Sequence, residues 1–328
     1  MDSADADGLS LGPHPRSVQI IWFSSLIVGQ AGLALLSLTF LFAKCLAPRL
    51  SALYDLVFLA LLDTIVYLIL FYSGEYRSVN PSYSQCLVQA ALKYGNDSAF
   101  ILSSFLLVYE TLKSAIHGPL NPPHSQSSRG CYLILRTLPY FSYLIISACA
   151  FITGLVSPVK VIRLKYAFFC IISDNTFSAI MNLNMIILAS ATIICQAALL
   201  IVLLKRRKAS RKLGIKSVLD TSQILRISIF NLWELLGLLL NTGTMVKVVG
   251  TTRTAISFLS IDKVPLSVFL IFASQKDILK CWYHSFCTMA ALPRDKSCPE
   301  HYQSEPTTLV GSDKDYLSST DENRTEAA

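Results

Sequence analysis

Five charged residues stand inside apolar runs of this chain: Asp63 in LALLDTIVYLIL, Lys93 and Asp97 in CLVQAALKYGNDSAF, Glu234 in FNLWELLG and Lys263 just before VPLSVF. A charge at the centre of a bilayer costs roughly 2.5 to 3.5 kcal/mol on insertion scales, so such residues face a protein interior or a water-filled cavity. Lys93 and Asp97 are four residues apart and can pair along one helix face. Alternatively Lys93, about two turns below the outer surface, faces a ligand cavity with Asp97, Trp233, Glu234 and Asn182 or Asn184 around it. Both readings stay open at this point.

Other chemistries are excluded more firmly. The five histidines are His14, His117, His124, His284 and His301, and none lies in an apolar run. An intramembrane zinc hydrolase needs histidines at that depth to hold its metal. The nine cysteines are scattered, with no zinc-type spacing, and no Gly-x-Ser-x-Gly elbow is present. Asp55 and Asp63 fall on one helix and cannot form a dyad across two, and Asp55 is expected at the inner interface. Lys263 stands beside Asp262 and two residues before Pro265, a poor position for a retinal Schiff base. The expectation is a protein without enzymatic activity, metal or cofactor. The net charge of +7 is not a nucleic-acid signature, because the basic residues sit mostly at the ends of apolar runs.

The elements that must position these residues are long and apolar. The chain is 53% hydrophobic and 15% charged with a mean hydropathy of +0.51, where soluble domains carry about 25% charged residues. About 20 apolar residues cross a bilayer. Seven candidate spans follow: 18–43, 54–72, about 86–111, 137–156, 176–204, 225–246 and 254–273, the last broken by Pro265. With the N-terminus outside, cytoplasmic segments hold fifteen lysines and arginines against seven outside, which favours an N-out, C-in all-α bundle. The outer run SPVKVIRLKY goes against that rule. Residues 1–17 are polar and acidic and do not read as a cleavable signal, so the first span is expected to act as its own insertion signal. Residues 274–290 read as an amphipathic helix on the inner leaflet, with Cys281 and Cys287 where reversible palmitoylation is common. Residues 291–328 are polar and read as a disordered cytoplasmic tail.

At this point the chain resembles the G protein-coupled receptors, over residues 18–290 in architecture and at about five positions in sequence. Cys86 at the outer start of span three and Cys170 in FFCIIS match that superfamily's outer disulfide, and the resemblance implies a Cys86–Cys170 bridge. Asp63 resembles the second-span aspartate that binds sodium in many receptors and rearranges on activation. Glu110 in YETLKS resembles the acid of the Asp/Glu-Arg-Tyr motif, with Thr111 where the family has arginine. Trp233 resembles the toggle tryptophan without its following proline, and Pro265 the proline of the seventh-span motif. The run IFASQKDILKCW is similar to the seventh-span end of orphan fungal seven-span receptor-like proteins.

The resemblance implies a plasma-membrane receptor for a small molecule or short peptide, with a cavity in the outer half of the bundle. Its partners would be the lipid bilayer, an extracellular ligand and a heterotrimeric G protein meeting residues 205–216 and the inner ends of the spans. Two other readings compete. Asp63, Lys93, Asp97, Glu234 and Lys263 could line a proton or solute path, or Thr111 could mark a non-coupling scaffold.

Overall fold

The computed structural model describes residues 15–42, 51–78, 80–117, 126–164, 167–213, 221–245 and 264–290. They form helices α1 (Pro15–Phe42), α2 (Ser51–Tyr67), α3 (Ile69–Tyr72), α4 (Tyr83–His117), α5 (Gln126–Val156), α6 (Asn175–Leu213), α7 (Thr221–Met245), α8 (Val264–Ala273) and α9 (Lys276–Ala290). Strands β1 (Val161–Arg163) and β2 (Cys170–Ile172) pair antiparallel between α5 and α6, with Ile162 opposite Ile171. Among the described residues, four helices are long and apolar enough to cross a membrane: Arg16–Phe42, Tyr83–Ile116, Leu133–Val156 and Asn175–Lys208. The chain is therefore an all-α, membrane-embedded protein. It divides into residues 1–283 and 284–328, and of the second unit only the end of α9 is described.

Hydroxyl groups are common in these apolar helices, and most are satisfied internally. Thr39, Thr64, Thr111, Thr153 and Thr192 each donate to a carbonyl three or four residues back. Such back-bonding lets a polar side chain sit at hydrocarbon depth without an open donor.

The helix with the most polar face is the one at the centre. In α4, 56% of the apolar window is buried, against 11% in α6. The main core joins α4 (Leu107, Val108) to Leu33 and Leu36 of α1, Leu53 and Leu56 of α2, Phe230 of α7 and Phe272 of α8. Small residues allow the closest approaches, as expected where helices pack without a hydrophobic driving force. A Cβ on Gly95 would stand 2.0 Å from Ser147 Oγ and 2.7 Å from the Tyr143 carbonyl of α5. A Cβ on Gly32 of α1 would meet the Phe269 ring of α8 at 2.6 Å.

Several boundaries differ from the sequence expectation. The second span is interrupted at Leu68, between α2 and α3. The fourth begins at Gln126 and runs through Pro139, and the fifth continues to Leu213. Pro265 is the second residue of α8, in the first turn where a missing N–H is harmless. Residues 246–263, with Asp262 and Lys263, lie outside the described residues, as do 1–14 and 291–328.

α9 is held on α1 and α8 through its apolar side: Ile278 is fully buried, Trp282 stacks on Phe269, and the Trp282 Nε1–H donates to Thr39 Oγ1 at 2.7 Å. Cys281 is buried and disulfide-bonded. The acylation expected at Cys281 would need this bond reduced. The Cys287 side chain lies outside the described residues.

Candidate functional site

Every third or fourth residue of α4 faces the interior, giving the stripe Gln89, Lys93, Asn96, Phe100, Ser104, Leu107 and Thr111. These positions share one helix face, and each is buried or nearly so. The stripe divides into layers, each completed by a neighbouring element.

The top layer is closed by the hairpin. Cys86 of α4 is joined to Cys170 of β2, with Cα atoms 5.3 Å apart. The disulfide expected from the resemblance is thus present. One turn further, Gln89 is fully buried and makes three contacts. Its Nε2 donates to the carbonyls of Val66 (3.1 Å) and Tyr67 (3.3 Å), and its Oε1 accepts the Cys170 N–H at 3.0 Å. Those carbonyls lie at the break between α2 and α3, so Gln89 satisfies the backbone that the interruption at Leu68 releases.

Arg163 of β1 is only 8% exposed. It donates to four carbonyls: Ala167 (3.1 Å), Ser78 (2.6 Å), Tyr76 (2.8 Å) and Glu75 (3.3 Å). Burial lowers its pKa to about 10, which leaves it charged near neutrality. At the other end of the hairpin, Lys160 donates to Asp174 and lowers that carboxyl's pKa. Two cations of the run that broke the charge rule are therefore paired within the chain, Arg163 buried and Lys160 at the surface.

Between the strands, Ala167, Phe168 and Phe169 turn inward. Phe168 lies against Trp22, with centroids 4.7 Å apart, and near Phe23 at 5.6 Å, while Phe169 meets Tyr67 at 5.2 Å. Below them, Lys93 Nζ is 2.6 Å from Asp97 Oδ2. Its ammonium also lies 5.0 Å from the Phe169 ring, 5.3 Å from Tyr94 and 5.8 Å from Tyr67. Aromatic faces at this range attract a desolvated cation. Asp63 of α2 accepts a hydrogen bond from Asn96 Nδ2 at 2.9 Å. It faces the bundle, as its place in an apolar run required. Beside this layer Ser98 bridges Ser142 of α5 (3.1 Å) and Asn184 of α6 (3.0 Å).

Phe100 against Phe230, at 6.2 Å and nearly perpendicular, separates this layer from the next. There Ser104 donates to Asn231 Oδ1 at 2.9 Å and approaches Glu234 Oε2. Glu234 is 7% exposed, and its Oε1 has no partner among the described residues. At the far end Glu110 accepts from Ser51 Oγ and the Ala52 N–H, both at 3.4 Å, placing a carboxylate at the N-terminus of α2, a favourable place for negative charge. Asp55 accepts from the Tyr140 hydroxyl of α5 at 2.8 Å. Thr111, at the position where the resemblance has arginine, is buried and donates to the Leu107 carbonyl of its own helix at 2.6 Å.

Trp233 and Asn182, both expected ligand contacts, face outward. Trp233 is 38% exposed, on the face of α7 that also bears Leu232 and Leu236. Adjacent helical residues point about 100° apart, so the turn that buries Glu234 carries Trp233 outward. Asn182 lies on the exposed face of α6, and Asn184 reaches the interior instead. Lys93 and Asp97 do meet, but Glu234 belongs to the layer below them. Gln89, Ser104, Asn231 and Tyr140 were missed. The first two were within reach of the sequence, being in the 3.6-residue stripe through Lys93. In comparisons with known proteins, no family model and no curated protein matches the chain.

Proposed function

We propose that the chain is a seven-span, receptor-like signalling protein of the plasma membrane, N-terminus outside, that binds a small molecule or short peptide at the hairpin end. The observation that carries this reading is the roofed charge pair. A disulfide-tethered hairpin holds Phe169 over Lys93 and Asp97, at the head of a polar column along α4. The column continues through Asp63, Ser104 and Glu234 to Glu110 and Asp55 at the opposite end. A ligand that displaces the roof or opens the pair acts on α4, which touches α2, α5, α6 and α7 through side-chain bonds. A difference in ligand affinity between two arrangements of these contacts is what biases a two-state bundle. Because the pair offers a cation and an anion together, the matching ligand is zwitterionic or uncharged and polar rather than a simple anion. The intracellular partner would be a heterotrimeric G protein, met by the basic run from Lys205 and by the far end of the bundle.

A second reading, a proton or solute pathway, is favoured by one observation: Asp63, Lys93, Asp97 and Glu234 all lie along the same column. One experiment separates them. The chain and its Asp63→Asn variant are expressed with a panel of G protein dissociation sensors beside a matched seven-span control. Constitutive signal above the control, changed by the variant, supports the receptor. Silence across the panel, together with proton or solute flux abolished by Glu234→Gln, supports the pathway.

A further inference from the structure

A groove that the polar column does not use runs down the outside of α1 at the hairpin end. Its apolar wall is Ile20, Phe23, Ile27 and Val28 of α1 with Phe71 of α3, and it encloses about 460 Å³. Gln19, Tyr76 and Arg77 rim its mouth. The two walls are pinned together where the Tyr72 hydroxyl donates to Gln30 at 2.6 Å and where Phe23 packs on Phe71 at 4.7 Å. Ile20 is 66% and Val28 54% exposed, so the groove opens sideways, toward the lipid that surrounds a membrane helix.

Length and charge identify the occupant. From Gln19 to Val28 the helix rises nine residues, roughly 14 Å. One leaflet's hydrocarbon is about 15 Å deep, half of a core of about 30 Å. The groove therefore has the depth of a single acyl chain's layer, with its polar rim at the headgroup level. Arg77 stands at that rim, exposed, over the Tyr76 ring at 5.3 Å, and it has no carboxylate partner among the described residues. Arg16 lies four residues before Ile20, on the same face of α1, and is exposed too. A planar guanidinium suits a phosphate oxygen pair. We propose that this groove binds an anionic phospholipid of the leaflet at the hairpin end, with one acyl chain between α1 and α3 and its phosphate on Arg77.

The test uses the full chain in neutral detergent and native mass spectrometry, titrating dioleoyl phosphatidylglycerol against dioleoyl phosphatidylcholine. The wild type should retain phosphatidylglycerol at lower concentration than phosphatidylcholine. Arg77→Gln should weaken phosphatidylglycerol about fivefold and phosphatidylcholine less, because the choline cation offsets the phosphate's charge. Ser24→Phe, which fills the groove from an exposed position on α1, should weaken both lipids. Equal retention of the two lipids by the wild type overturns the headgroup assignment, and variants that bind like the wild type overturn the site. Saturation by glycerol 3-phosphate alone would make Arg77 a site for a free anion. Lipid bound only after deletion of residues 1–14 would make the chain's own N-terminal segment the occupant.

Discussion

At the scale of single residues, the charged side chains described inside the bundle, Asp63, Lys93, Asp97 and Glu234, each meet a polar neighbour, and the neighbours differ in kind. Lys93 has both a carboxylate and aromatic faces. Removing one member of such a pair strands the other in apolar surroundings, which typically costs about 3 to 5 kcal/mol. Lys93→Met or Asp97→Asn alone should therefore lower unfolding stability in detergent by about 3 kcal/mol or more, while the double variant loses much less. A double variant that loses the sum of the two single losses would show that the pair is not coupled. Asp174 gives a pH-dependent case outside the bundle. The hydrogen bond from Lys160 holds its pKa below the ordinary 3.8. The contribution of that bond is thus complete above 3.8 and lost as pH falls through the lower, folded value. The melting temperatures of the wild type and Asp174→Asn should differ near neutrality and converge on the acid side of 3.8. A gap that persists in acid would assign the effect to something other than this ionisation. The sequence revealed which residues needed partners, since an isolated charge in an apolar run announces its own cost. It did not reveal the partners of Arg163. Those are four carbonyls of turns, and a carbonyl has no sequence signature.

At the scale of elements, the helices were legible from their hydropathy and their packing was not. The stripe from Gln89 to Thr111 has helical period, and on that ground α4 belongs at the centre, yet its low hydropathy made it look like the weakest early span. Burial resolves the conflict, since a helix surrounded by other helices does not need lipid-like side chains. The break at Leu68 was invisible because neither Gly nor Pro marks it. It depends on Gln89, twenty-one residues away, whose amide takes the released carbonyls. Close helix approach was equally silent, because Gly95 reads the same whether it is packed or exposed. Its absent Cβ leaves room for the Tyr143 carbonyl, which is backbone and cannot rotate away. Gly95→Ala should destabilise the fold by about 1 to 3 kcal/mol. Gly130→Ala, at an exposed position with nothing within 4 Å, should be neutral or mildly stabilising. Matched losses at the two sites, read by thermal unfolding, would mean that α4 and α5 are not in the tight contact described.

At the scale of the whole molecule, the two ends of the bundle are distinguished by contacts that pair distant parts of the chain. Trp22 near the start of α1 packs with Tyr67 at the end of α2 and with Phe168. Glu110 near the end of α4 meets Ser51 at the start of α2, and Trp282 meets Thr39 near the end of α1. α1, α2 and α4 therefore alternate in direction. From Ser51 to Tyr72, α2, Leu68 and α3 rise through 22 residues, roughly 33 Å against a hydrocarbon core of about 30 Å. That length is enough for a crossing despite the break. The 25 residues of α7 rise roughly 37 Å. The exposed cations Lys205, Arg207 and Lys208 at the far end suit the cytoplasmic side. The seven-crossing topology proposed above, with the hairpin outside, predicts a definite labelling pattern. Single cysteines at Ser17, Asn80 and Thr251 should react with a membrane-impermeant maleimide on intact cells. Those at Ser217 and Lys280 should react only after permeabilisation. Ser17 and Asn80 labelling from opposite sides would show that α2 and α3 turn back without crossing, leaving the long helices alone to span the membrane. Ser217 and Thr251 labelling from the same side would remove α7 from the count. Either result would separate the membrane architecture from the receptor reading, because the proposed ligand site under the hairpin needs α2 and α7 to reach the end at which α4 carries Lys93.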